Sequence, residues 1–506
     1  MKAKDASTTM PVIPWYLAAP ATAIAANLAG APLEWAFAAL FVFVPLFTWY
    51  QKGPGARFLT GWLAGFLNQA IAYPWIYNTI RDFSGQSPTI SALGTVLFWA
   101  YQGLDLALWL WLAPMVVRNM PRLLQPFGAS GCWVLLQTLL FPYVFLWQAG
   151  GLFTGSPLLH GGAVLWGATG LAFWAIAGQG LVVIGGLKHH HRLPAAALIL
   201  ALILAGNLFK GEIKHEVWRI GIVQPNLIPE AKREAFSMED IFLAHYALTV
   251  ELARENLDLI IWPETALSFN LDKYTTYVTR LRNLIDTTDT PLITGTLAYE
   301  KRQGYYNEIR LYEPGDAEPQ KYRKYKLVMF SERLPWIFSW ARKFDAGIGG
   351  FIPGQENQPF NFKNRQILPL VCFEALFPEY VFGLEGHLIV NLTNDAWFGP
   401  TKASSQHLQM IRTRAVEHRI PLIRATNSGI SGWVDHHGEI RQRGGLYQRE
   451  TLVMEVPIPL ERPLRYSRLG TLAIHALATA LALWGLVLRL RGLPRTASQP
   501  PDPHLK

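Results

Sequence analysis

Cysteine is almost absent from this chain: Cys132 and Cys372 are the only two in 506 residues. That excludes a disulfide-stapled scaffold and any zinc site built on closely spaced Cys and His. Acidic side chains are also scarce, 36 against 45 Lys and Arg, for a net charge of +9. Such an excess invites a nucleic-acid reading, but much of it flanks long apolar runs, where anchoring at a membrane surface accounts for it. Nucleic acid is therefore not an expected partner. No 20–50-residue repeat is apparent, and only the tail "RTASQPPDPHLK" reads as disordered.

What the chain has in abundance is apolar length. Runs near 11–29, 32–50, 58–80, 89–117, 129–148, 161–187 and 193–209 precede a soluble stretch, and "LGTLAIHALATALALWGLVL" (469–488) follows it. A helix rises about 1.5 Å per residue, so runs of about twenty match the hydrocarbon core of a bilayer. About eight spans are expected. The third, carrying Asn68 and Gln69, is the least uniform, and 89–117 is long enough to imply tilt or an interfacial portion.

Charge sets the orientation. With the amino terminus inside, the inner segments hold Lys2, Lys4, Lys52, Arg57, Arg118, Arg122, Lys188, Arg192, Arg489, Arg491, Arg495 and Lys506, against Arg81 alone in the short outer loops. Seven spans then put the soluble stretch outside the cytoplasm, and the eighth returns the tail. "LAAPATAIAA" could pass for a signal-peptide end, but its weak apolar core and the immediate second run argue for a retained span. The expected organisation is a membrane domain over 1–213, an extracytoplasmic domain over 214–464, an eighth helix over 465–490 and a cytoplasmic tail over 491–506. The nineteen Trp fit interfacial belts as well as a packed domain.

Within 214–464 short apolar strands alternate with amphipathic helices. "WRIGIVQPN", "LDLIIWPE", "TPLITGT", "NEIRLYE", "QILPLVCFE", "LIVNLTN", "PLIRATN" and "TLVMEV" read as strands; 237–257 and 404–419 carry helical spacing. The pattern predicts an α/β layered domain. Polar residues worth attention fall at strand ends: Glu264 after "LIIWP", Cys372 after "ILPLV", Asn394 and Asp395 after "LIVNLT". In an open α/β sheet such ends border the ligand crevice, so three strands are expected to deliver side chains to one rim.

A cysteine nucleophile needs a base for its proton and a cation for the charge on the attacked carbonyl. Cys372, Glu264 and Lys324 are the candidates. Each alone has an ordinary explanation: a Cys after an apolar strand is more often an inert buried residue, Glu after Pro is usually a solvated turn, and Lys324 stands in a basic run with Lys321, Arg323 and Lys326.

The segments "WPETA", "YRKYKLVMFSERLP" and "VCFEALFPE" resemble, in that order, the Glu, Lys and Cys segments of the nitrilase (carbon–nitrogen hydrolase) superfamily. "NLTNDAWFG", "QHLQMIRTRAVEHRIPLIRATNSGIS" and "DHHGEI" continue the likeness through the soluble stretch, and the eight spans narrow it to the apolipoprotein N-acyltransferase family. The resemblance implies an αββα sandwich with Glu264 as general base, Lys324 as cation, Cys372 as nucleophile, and Glu332 and Glu374 in support. It implies no cofactor and no metal. The implied reaction moves an acyl chain from a phospholipid, phosphatidylethanolamine by expectation, through a Cys thioester to the amino terminus of a diacylglyceryl-modified apolipoprotein. The expected place is the inner membrane, with the soluble domain on the periplasmic side.

Departures from the family pattern are Met329 and Ser331 where Pro and Gly are usual, Phe373 where Tyr is common, and "QPNLIPEAKREAF" without its frequent Trp. They flank the three residues without replacing them. A membrane-anchored amidase of the same superfamily, an acyltransferase with another acceptor, and a non-catalytic lipid-binding shell are the alternatives. His189–His191 reads as a solvated turn, and His407 and His418 as helix-face neighbours without a common ligand. Trp397 and Phe398 read equally as core or as an acyl entrance.

Overall fold

In a computed structural model, the structure describes residues 11–492 apart from 84, 141–142, 144–147, 229–236, 302–303, 329–331, 334–349 and 356–357. Lys2, Lys4, the departures at Met329 and Ser331, all of "PEAKREAF", part of the 129–148 run and nearly all of the 491–506 tail lie outside the described residues. The chain divides into two units, one made of residues 1–74, 92–210 and 466–506, the other of 75–91 and 211–465.

The first unit is helical. Four of its described helices are long and apolar enough to cross a membrane: Pro88–Val117, Ala163–Val183, His190–Phe209 and Tyr466–Leu490. Trp15–Ala29 and Pro54–Ala72 are further helices, and Ala36–Phe47 is a shorter apolar one. The third run, expected to reach residue 80, stops as a helix at Ala72, because Pro74 cannot continue the hydrogen-bond ladder. Gly103 divides the 89–117 run into Pro88–Gln102 and Leu104–Val117. Its carbonyl oxygen is only 2.3 Å from where a side chain on Gly65 would begin, so two backbones touch there that no larger residue would admit.

The second unit is built on thirteen described strands. They are β1 (His215–Gln224), β2 (Leu259–Ile261), β3 (Leu267–Asn270), β4 (Leu292–Glu300), β5 (Gly304–Tyr312), β6 (Gln320–Arg323), β7 (Phe360–Phe362), β8 (Arg365–Val371), β9 (Leu388–Thr393), β10 (Leu422–Thr426), β11 (Gly432–Val434), β12 (Ile440–Arg443) and β13 (Glu450–Pro459). One sheet runs β13-β1-β2-β4-β5-β6 with β3 on β4; the other runs β12-β11-β10-β9-β8-β7. Both are mixed. β1, β2 and β4 are parallel, as are β8, β9 and β10, and the outer strands pair antiparallel.

The sheets stack through one apolar core. Ile220, Ile222, Ile261 and Ile293 of the first meet Val371, Val390, Leu392 and Ile423 of the second. A second cluster packs helices Met238–Leu252 and Thr275–Thr288 on the outer face of the first sheet, through Phe242, Leu281 and Leu284 against Ile260 and Leu292. Helix Ala403–His418 lies against the second sheet. The central strands are thus covered on both faces, which is why they read as unbroken apolar runs. β3, β6, β7, β11 and β12 were not legible as strands: they are three or four residues long, and β12 is mostly exposed.

Candidate active site

The expected rim exists, but both sheets build it. β2 and β6 of the first sheet deliver Glu264 and Lys324; β8 and β9 of the second deliver Cys372 and Asn394. The two stacked sheets are those of the expected αββα sandwich, and stacking places the strand ends face to face.

Glu264 follows the Trp262-Pro263 step out of β2, in a turn where Thr265 takes φ 48°. That turn lies flat on β4. A side-chain carbon at Gly295 would fall 2.6 Å from the Pro263 carbonyl oxygen and 2.6 Å from the Thr265 nitrogen, so the approach requires glycine. The buried carboxylate accepts from Asn307 Nδ2 of β5 and from the Asn394 backbone N–H, each at 2.8 Å.

Lys324 is buried just beyond β6, its N–H donating to the Asn307 carbonyl at 2.8 Å. Its Nζ lies 2.8 Å from Glu332 Oε2 and 3.8 Å from Glu264 Oε1. Glu332 is pinned in turn by the Val328 N–H at 2.9 Å.

Cys372 sits where β8 stops. Its φ of 51° is left-handed, a strained setting for a residue with a side chain, and it turns the thiol out of the sheet. Two contacts hold that bend. Asn391 Nδ2 of β9 donates to the Cys372 carbonyl at 3.1 Å. Glu374 accepts from the Val371 N–H at 2.7 Å. The same carboxylate accepts from the Tyr325 and Lys326 N–H groups, at 2.7 and 3.0 Å, and from Tyr322 Oη at 2.8 Å. Glu374 therefore ties the cysteine turn of one sheet to the lysine strand of the other without touching the thiol.

Charge follows from this burial. The thiol of Cys372 is pushed up, first by desolvation and then by the Glu264 carboxylate, with Lys324 and Thr393 opposing. Burial also raises Glu264, against the pull of Lys324. Burial alone lowers Lys324, but Glu332 and Glu264 outweigh it and hold the ammonium protonated. The resting thiol thus keeps its proton next to a carboxylate whose affinity for protons is enhanced. A thiol, a carboxylate and a fixed ammonium thus stand together, groups of the kind that covalent acyl transfer uses.

The carbon–nitrogen hydrolase family model matches residues 219–466, and the apolipoprotein N-acyltransferase N-terminal domain model matches residues 22–181. An apolipoprotein N-acyltransferase of Pseudomonas aeruginosa is 30% identical, covering 94% of this chain and 96% of its own length. The chain belongs to the apolipoprotein N-acyltransferase family. A relative of the same name from Azotobacter vinelandii is 28% identical over 95% of this chain and 96% of its own. Among solved structures, an amidase from Nesterenkonia sp. matches with a TM-score of 0.38 and 19% identity, over 49% of this chain and 94% of that one.

For this apolipoprotein N-acyltransferase family member, the structure brings Glu264, Lys324, Cys372 and Glu332 together and sets Glu374 behind the turn. Sequence reasoning missed Asn307, Thr393, Asn391 and Arg424, which pairs at 2.7 Å with the strand-end Asp395 that it had singled out. The available signal was polarity inside apolar strands: Asn307 in "YYNEIRLY" and Arg424 in "PLIRATN" are buried where the strand pattern wants an apolar residue. Phe398 packs its ring on Trp75 at 4.8 Å, whereas Trp397 is exposed. His407 faces Asp395 and Arg424, and His418 faces Arg465, so the two serve different partners. Both cysteines are free thiols, and among the described residues no group of three His, Cys, Asp or Glu is placed to hold a metal.

Proposed function

We propose that this chain is an apolipoprotein N-acyltransferase that works in two half-reactions through Cys372. The observation that carries the reading is the buried Glu264–Lys324 pair acting on the thiol of Cys372, in a chain that such enzymes match almost end to end.

Glu264 takes the thiol proton as sulfur attacks the ester carbonyl of a phospholipid, for which phosphatidylethanolamine is the proposed donor. The C–S bond forms, and Lys324 balances the negative charge on the carbonyl oxygen. As the ester C–O bond breaks, Glu264 returns the proton to the leaving alkoxide and lysophospholipid departs. The α-amino group of a diacylglyceryl-cysteine lipoprotein then attacks the thioester. Its nitrogen loses one proton to Glu264, the C–S bond breaks, and that proton restores the thiol. The acceptor becomes a triacylated lipoprotein. Glu332 fixes Lys324, and Glu374 fixes the cysteine turn.

The proposed setting is the inner membrane with about eight spans: a membrane domain over 1–213, a periplasmic catalytic domain over 214–464, an eighth helix over 465–490 and a cytoplasmic tail over 491–506. Apolar helices and the inner-segment Lys and Arg support that orientation. The test is intact mass after incubation with phosphatidylethanolamine. A hydroxylamine-sensitive gain of one acyl chain, lost in Cys372→Ser and passed to a lipoprotein peptide, is expected. No adduct and no donor turnover with any phospholipid would overturn the reading.

A further inference from the structure

The parallel ladder pairs Val371 of β8 with Leu392 of β9. Thr393, the last residue of β9, therefore lies next to Cys372, where the chain leaves β8. Thr393 is fully buried; its hydroxyl donates to the Asp395 carboxylate at 3.2 Å, and the strand register sets it beside the Cys372 sulfur, whose charged form it favours. A hydroxyl has one proton to give, so it can serve only one of them at a time. Asp395 does not depend on it, because Arg424 Nη2 already donates to the other carboxylate oxygen at 2.7 Å. The sulfur is different. As a thiol it needs no donor; as a buried thiolate it does.

We propose that Thr393 is a catalytic hydrogen-bond switch, donating to Asp395 while Cys372 is a thiol and turning its proton to the sulfur once that sulfur is ionised. The inference rests on Cys372 being the nucleophile. No atom is transferred to or from Thr393; the thiol proton goes to Glu264, and only the O–H bond rotates. When the C–S bond forms, the sulfur loses its charge and the hydroxyl returns to Asp395. When the thioester breaks, sulfur leaves as thiolate and the hydroxyl turns again. A donor that engages only the charged sulfur lowers both barriers without stabilising the resting state.

The test reads the thiol directly. In a Cys132→Ala background Cys372 is the sole thiol, and it retains some exposure to reagent. Its alkylation rate with iodoacetamide is measured from about pH 6.5 to 9.5 for Thr393, Thr393→Ser, Thr393→Val and Thr393→Ala, with melting temperature alongside. The charged groups facing this thiol, Glu264, Lys324, Asp395 with Arg424, Glu374 and neighbouring His407, are common to all four proteins, so differences report the hydroxyl. Val and Ala are expected to slow alkylation about tenfold or more across the range, and acyl-thioester formation in step, while Ser stays near the parent rate. Parent-like rates in folded Val and Ala proteins would overturn the switch. So would a Ser protein as slow as Val, since shape rather than the hydroxyl would then matter. If the parent forms no acyl adduct but the alkylation series behaves as expected, the functional reading fails and the role of Thr393 at the sulfur stands.

Discussion

Lys324 lies a full ångström nearer to Glu332 than to Glu264, 2.8 Å against 3.8 Å. The ammonium is held from behind by one carboxylate while the other stays loosely paired. A base locked onto a cation is a poor base, because the cation lowers its affinity for protons. Glu332 therefore loosens the hold of Lys324 on Glu264, as the proposed base role requires.

Replacing Glu332 by Gln should let Lys324 swing to Glu264. Thioester formation is expected to fall about tenfold for each unit by which the Glu264 pKa drops. The pH at which the base becomes active should move down in a burst assay of acyl-enzyme. An unchanged pH profile with an unchanged rate would show that Glu332 does not tune the pair.

Glu264→Gln removes the proposed acceptor for the thiol proton and keeps the side chain's shape, but only one of its two end atoms still accepts, so the bond from Asn307 or from the Asn394 N–H is lost. The loss in thioester formation should be about 10²–10⁴-fold, the usual contribution of a general base, with a destabilisation of about 1–3 kcal/mol from the unmatched amide read as a lower melting temperature in detergent. Mass spectrometry should find Cys372 unacylated. A fully acylated cysteine in this variant would mean that another group takes the proton.

Glu374 is pushed up by burial from its ordinary 4.5 to about 7, against the hydrogen bonds it accepts. Between these two values the folded chain binds more protons than the unfolded one. Stability from this carboxyl is therefore full below about pH 4.5 and is lost as pH rises through about 7. Glu374→Gln should flatten that slope in a melting series. It should also cost about 1–3 kcal/mol, because its amide N–H₂ would meet backbone donors. Equal slopes in the two proteins would remove Glu374 as the source.

At Gly295, alanine would press a methyl group on the Pro263 carbonyl and the Thr265 nitrogen, both backbone atoms at 2.6 Å. About 1–3 kcal/mol of destabilisation is expected from the overpacking. Displacement of the Glu264 turn should lower acyl transfer more than Cys372 alkylation. A variant with parent activity and stability would show that the turn has room to shift.

The strands that carry the site were legible because the core between two sheets demands apolar side chains over consecutive residues, and "LIIWPE", "ILPLVCFE" and "LIVNLTN" display that demand locally. Glu264 and Cys372 stand out as the first polar groups after their runs, and Asn394 closes a run that Asn391 and Thr393 already interrupt. Lys324 was harder to see, since β6 is four residues long and its basic neighbours resemble a solvated face. The 58–80 run misled in another way: hydropathy continues past Pro74, but the backbone hydrogen-bond ladder does not.

Sequence alone determined the apolar layers and the polar residues that stand at their strand ends. Those depend on composition and periodicity over a few residues. The tertiary structure alone decided that two sheets share the site, that Asn307 and the Asn394 N–H hold Glu264, and that Thr393 stands between Cys372 and Asp395. These contacts join residues far apart in the chain. Their distances are set by how the sheets stack and how β8 and β9 register, which no local pattern of side chains encodes.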